Sequence, residues 1–211
     1  MTVLRKKKAK KLEQIRAEVD KTGDALGKPI DSGIKETIVF LKAMGITTTA
    51  SCEGHTDYGI PWPWVDTEDP DQPEEQFKNQ NKILHYYAKK NNLDFGKLKT
   101  GEPLDLWLKA IKEASKNGET EEYIEWTKRN KKIAKKVRAL LKEFYKKRKV
   151  EDTNRLIIKD TRLQFAFDPK IDMEDNSTRR ELNQSMPAKQ TEMIAFTKFL
   201  ENKYREGRVK Q

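Results

Sequence analysis

Apolar residues recur at helical spacing along most of this chain and alternate, as in a strand, in only a few short places. Leu12, Ile15 and Val19 fall on one face of a helix over 3–22 whose beginning is rich in lysine. Gly23 ends it, and Gly27-Lys28-Pro29 marks a turn. Ile34, Ile38 and Leu41 give a second helix over about 32–44. Asp31 or Ser32 stands where a side-chain oxygen accepts a free amide of its first turn, and Gly45 where a helix C-terminus favours a left-handed residue.

Ile46 to Ser51 is short and β-branched and reads as a strand. Trp62 to Thr67 reads as a second, with Pro61 and Pro63 restricting it to an edge or a strand start. Beyond Asp69-Pro70 and Gln72-Pro73, Glu74 and Glu75 suit the first turn of a helix running to about Asn91, with Phe77, Leu84, Tyr87 and Ala88 inward. After a connector over 91–101, Leu104, Trp107, Leu108 and Ile111 form the stripe of a shorter helix. The longest pattern, about 119–147, sets Tyr123, Trp126, Ile133, Val137, Leu140, Leu141 and Phe144 on one side.

Leu163, Phe165 and Phe167 alternate after the turn-forming Asp160-Thr161, so 156–167 reads as a hairpin. A loop over 168–176 follows. The last helix, 177–208, carries Met193, Phe196, Leu200 and Tyr204 as its stripe, and Pro187 is expected to divide it. Isolated hairpins are marginal in water, so the short strands are expected to combine into one sheet covered by helices. The predicted class is α+β, mostly helical, with about four short strands. That sheet is expected to bring the hairpin beside 46–51, with Arg155, Lys159 or Arg162 in reach of the loop that follows.

A chain of 211 residues suits a single domain with one core. Its predicted parts are a basic N-terminal helix over 1–22, a helix-strand-turn core over 24–100, a strongly basic helical hairpin over 103–148, and a strand hairpin plus C-terminal helix over 155–208. Charged residues reach 37% against 35% hydrophobic, which requires long helices with one solvated face. The net charge of +10 is concentrated: 128–149 holds twelve basic residues and one glutamate. Such a helix suits a polyanion, with Lys128, Arg129, Lys132, Lys135 and Lys136 along phosphates, or else is a lysine-coated exterior. Six carboxylates between Asp66 and Glu75 would repel a nucleic acid near them. One cysteine excludes an internal disulfide and a multi-thiolate zinc site and fits a reducing cytoplasm. No apolar run approaches the roughly 20 residues that span a bilayer, so no membrane association is expected.

Candidate chemistry gathers at Ser51-Cys52-Glu53-Gly54-His55, where a strand closes into a glycine turn holding the only cysteine and one of two histidines. If the chain bends at Gly54, Cys52 and His55 can face the same way. Four readings are open. Cys52 is a small buried hydrophobe, with His55 bonded to a carbonyl. Alternatively the turn forms a small-ligand or anion pocket: Thr47, Thr49, Ser51 and the amides around Gly54 hold an anionic group, Trp62 and Trp64 stack a planar one, and Arg155 or Arg162 neutralises charge. Thirdly, Cys52 is a nucleophile paired with His55 and oriented by Glu53 or Asp57. Lastly, Cys52, His55, His85 and Asp57 or Asp66 ligate zinc, a set not carried into the predicted site. The leading expectation is the ligand or anion pocket. Nucleic-acid binding and a Cys/His enzyme are the alternatives, and no cofactor is named.

The helix followed by Gly45-Ile-Thr-Thr-Thr-Ala-Ser-Cys-Glu-Gly-His55 and Pro63-Trp-Val-Asp66 resembles a group of uncharacterised bacterial and phage proteins with that Ser-Cys-Glu-Gly-His block. More distantly, Thr49 to His55 is similar to the Ser-Cys-Ser-Gly-Arg segment of the methyltransferases of wybutosine synthesis, which implies a tRNA partner. Here His55 stands for the arginine and Glu53 for the serine, and no glycine-rich methyl-donor motif is present.

Overall fold

A computed structural model of the chain describes residues 3–23, 27–57, 59–166 and 176–207; Phe167 and the expected loop up to residue 175 lie outside them. Helix α1 (Val3–Lys21) and helix α2 (Ser32–Ala43) follow the predicted spans. α2 has the densest apolar pattern: Ile34, Thr37, Ile38, Val39, Phe40, Leu41 and Ala43 are all buried. A helix hydrophobic on most sides needs partners on most sides. α1 supplies Leu12, Ile15 and Val19, and the C-terminal helix α7 (Asn176–Glu206) supplies Met193, Phe196, Leu200 and Tyr204.

Four short strands complete this core: β1 (Ala50–Cys52), β2 (Trp64–Asp66), β3 (Leu156–Lys159) and β4 (Arg162–Phe165). They form one antiparallel sheet in the order β1-β2-β4-β3. Asp160 at φ 53° sits in the expected tight turn between β3 and β4. The hairpin pairs with β2, not β1, so the expected neighbour of residues 46–51 is one strand further away. Val65 and Leu163, opposite one another, are fully buried and fix which face is the core. By strand alternation, Cys52, Trp64, Asp66 and Arg162 share the other face.

The remaining helices are α3 (Gln80–Lys90), α4 (Phe95–Lys99), α5 (Leu104–Ala114) and α6 (Glu121–Phe144). α3 starts later than expected because 76–78 bridges to 118–120: Thr120 N–H donates to the Gln76 carbonyl and Lys78 N–H to that of Gly118. The connector after α3 contains α4, started by the Asp94 carboxylate accepting from Lys97 N–H. α5 packs on α3 and α4 with Ala110 in the shared cluster and Leu106 and Trp107 against it. Leu104 and Leu108, predicted inward, are exposed. α7 runs unbroken through Pro187. Proline removes one backbone donor, but the apolar stripe after it and polar bonds before it hold both halves in line.

The chain divides into two compact units, 1–70 with 130–211 and 71–129. Each has its own apolar cluster: the α1, α2, α7 and sheet core in the first, and Leu84, Ala88, Leu98 and Ala110 in the second. Among the described residues, no helix is long and apolar enough to cross a membrane.

Candidate functional site

The glycine turn is built by close approach. Gly54 has φ 90°, and a Cβ there would lie 2.6 Å from the Pro61 carbonyl oxygen and 2.8 Å from Trp62 Cα. Only glycine lets the chain leave β1 and pass this close to the segment entering β2.

Asp31 enters the site from the start of α2, and the sequence assigns it a different task. Its backbone takes the N-cap place, but its side chain makes no capping bond. The Asp31 carboxylate instead accepts from Glu53 N–H at 3.1 Å, while the Glu53 carboxylate accepts from Gly33 N–H, in the first turn of α2, at 2.7 Å. The two acids thus exchange partners, and Asp31 is drawn onto the turn. Its Oδ2 lies 3.6 Å from His55 Nε2.

One donor atom from each of Asp31, Cys52 and His55 lies within 4.8 Å of the others. The trio is neither sealed nor loose: Cys52 is half-buried, and the His55 and Asp31 side chains are 27% and 31% exposed. The Cys52 sulfur accepts from Gly54 N–H at 3.3 Å. Burial pushes the Cys52 thiol pKa up, and the carboxylates of Asp31 and Glu53 add to that; the Gly54 amide opposes it. The free thiol is therefore protonated at neutral pH, which disfavours an unassisted nucleophile.

An anion meets little welcome here. The amides of Gly33, Glu53 and Gly54 already donate to Glu53, Asp31 and Cys52, and the two nearby acids are carboxylates. A metal ion is the opposite case: carboxylate, thiolate and imidazole are ligands of zinc-class ions. At bond lengths of about 2.0–2.3 Å, such ligands sit roughly 3.3–3.8 Å apart, so closure takes about an ångström of side-chain movement.

The other predicted residues lie elsewhere. Trp62 is 1% exposed beneath the Lys189 ammonium, 4.3 Å from its ring, and offers no stacking face. Trp64 is covered by the Arg162 guanidinium at 4.2 Å, and Arg162 forms a two-pronged pair with Asp66 at 2.6 and 2.9 Å. Arg155 lies over the Tyr145 ring and pairs with Asp152. Neither arginine is therefore a free counter-charge for the turn. Thr49 donates to Glu68, and Ser51, by strand alternation, faces the side of Val65. Of the predicted zinc ligands, His85 is in the 71–129 unit stacked on Phe95, Asp57 accepts from Thr56, and Asp66 pairs with Arg162.

Two cavities lie apart from the trio. One of about 390 Å³ borders Asp66, Thr161, Arg162 and Gln164. Another of about 720 Å³, within the 71–129 unit, is lined by Asp71, Glu74, Glu75, Glu121, Glu122 and Glu125, with Arg129 beside them. On α6, Lys128 pairs with Glu125, while Lys132, Lys135 and Lys136 are exposed and lack an ion-pair partner among the described residues.

Sequence reasoning missed two residues of the site. Asp31 has the signature of a helix cap, and Arg179, which grips the loop beyond His55, that of an ordinary helix-surface arginine. No protein family's sequence profile matches this chain, and neither a curated protein nor a solved structure is significantly similar to it.

Proposed function

We propose that the Ser51–His55 turn is a small-ligand site and that its ligand is a divalent transition-metal ion of the zinc class, held by Asp31, Cys52 and His55. The observation that carries this reading is the convergence of three chemically suitable donors, Cys52 and His55 from the turn and Asp31 from the start of α2. Three protein ligands leave a coordination position for water or a substrate oxygen, and a bound ion of this kind supplies Lewis acidity there. Cobalt(II) titration of the full chain tests it, because a cysteine ligand gives a thiolate-to-cobalt charge-transfer band. One equivalent is expected to bind with that band, and Cys52→Ala is expected to remove it. A wild-type protein that takes up no cobalt, or a Cys52→Ala, His55→Ala variant with unchanged affinity, would overturn the reading.

A second reading, nucleic-acid binding, is supported by Lys132, Lys135 and Lys136, all exposed on one helix. It predicts binding whose logarithm falls by about 0.9 per neutralised duplex phosphate for each log unit of salt. Failure to retard RNA or DNA at about 50 mM salt would dismiss it.

A further inference from the structure

His55 differs from the other two donors in how it is held. Asp31 is fixed by the start of α2, and Cys52 lies in β1 opposite Trp64. His55 lies past the strand, on a bend with no ladder of its own. What grips that bend comes from α7, more than 120 residues later in the chain. Arg179 donates from Nη2 to the His55 carbonyl at 2.7 Å, from Nε to that of Thr56 at 2.7 Å, and from Nη1 to that of Gly59 at 2.6 Å. Asn183, one helical turn on, adds its Nδ2 to the Thr56 carbonyl at 3.0 Å.

The chemistry of this grip is specific to arginine. A guanidinium presents planar donors in a rigid fork, so three carbonyls bound by one fork are fixed relative to each other as well as to α7. A lysine ammonium supplies the charge and three donors, but no plane. The contacts on either side of the trio then form one chain of constraint: α7 to the His55 carbonyl, His55 across to Asp31, and Asp31 by its own backbone to the start of α2, where Gly33 N–H also donates to the Glu53 carboxylate.

We propose that Arg179 is the positioning residue of this site. By holding three carbonyls of the bend it sets the His55 imidazole against Asp31 and Cys52, and it makes metal binding depend on the seating of the first turns of α7. This rests on the metal reading of the turn. Groups outside the ligand shell that orient a ligand typically change metal affinity 10–100-fold when removed. Because coupling between two sites is reciprocal, bound metal also protects the beginning of α7.

The test is cobalt(II) titration of the full-length protein and of Arg179→Ala, Arg179→Lys, His55→Ala and Arg179→Ala with His55→Ala, with Arg180→Ala as the neighbouring surface control. Arg179→Ala is expected to weaken cobalt binding about 10–100-fold while the Cys52 charge-transfer band persists at saturating metal. Arg179→Lys should recover only part of the loss, and Arg180→Ala should bind cobalt as tightly as wild type. The deciding result is the double variant. If Arg179 acts through His55, its removal costs nothing further once the imidazole is gone. In hydrogen exchange on wild type, cobalt should slow exchange over 178–186. Additive losses in the double variant, or Arg179→Ala binding as tightly as wild type, overturn the positioning role and leave the metal site standing. No cobalt uptake by wild type overturns both.

Discussion

Two aspartates stand near opposite ends of the β1–β2 pair, and their company differs. Asp66, opposite Ala50, has its charge matched by a two-pronged arginine that also covers Trp64. Asp31 comes up to the Cys52 end, where the charged partner within reach is His55, at 3.6 Å and cationic only when protonated. The first arrangement is closed: fork, carboxylate and ring satisfy one another. The second brings a carboxylate, a thiol and an imidazole within 4.8 Å of one another, with no arginine or lysine ion-paired to Asp31 among the described residues. A carboxylate bound by arginine is architecture, whereas one facing softer donors is available to a metal.

Neutralising each aspartate in turn should separate the two ends most strongly. Asp31→Asn keeps the shape and the bond from Glu53 N–H but loses the charge. It is expected to weaken cobalt binding about 100-fold, at the upper end of what outer-shell changes cost, because it alters a ligand itself. Asp66→Asn is expected to leave cobalt affinity unchanged. Equal effects in isothermal calorimetry would erase the distinction between the two ends.

Gly54→Ala should come next. It places a Cβ against Pro61 and Trp62 and strains a φ of 90°, so a loss of about 2 kcal/mol in urea unfolding is expected, together with loss of metal binding. Unchanged stability would mean that the turn is not held as described. Arg162→Ala leaves the Asp66 carboxylate, 15% exposed, without its partner. That pair is partly open to water, so about 1–2 kcal/mol is expected, less than for a deeply buried pair, with cobalt affinity untouched.

The gentlest probe is pH. Metal binding requires the thiolate, and the Cys52 pKa is raised, first by burial and then by the neighbouring carboxylates. Below that raised value, affinity should climb about tenfold per pH unit as one proton is displaced. For the metal-free protein the sign is opposite. A thiol whose folded pKa exceeds its unfolded one costs no stability below the unfolded value, and stability falls as pH rises through the folded value. Cobalt titrations at several pH values showing no slope would argue that sulfur is not a ligand.

Most of the fold was legible in the sequence because helix stripes are local. Leu12, Ile15 and Val19, or Met193, Phe196, Leu200 and Tyr204, must point one way once the backbone is helical, and all are buried. α5 shows the limit. Of its expected stripe Trp107 packs on the cluster of the 71–129 unit, yet Leu104 and Leu108 are exposed, and Ala110, outside that stripe, is fully buried in the cluster. The candidate site was half legible. Cys52, Gly54 and His55 are consecutive enough for a strand-end turn to bring them together. Arg155 and Arg162 fall away from it because β2 stands between β1 and the hairpin, a neighbour relation that local spacing does not encode.

The helical faces, the hairpin turn at Asp160, and a glycine bend carrying thiol and imidazole could be read from residue order, because they follow from backbone periodicity and the steric freedom of single residues. That Asp31 turns from its own helix toward the bend, and that Arg179 reaches it from α7, emerged on folding. Those outcomes depend on which side chains meet across 20 or 120 residues of chain, and such meetings are set by packing against a shared core, not by local spacing.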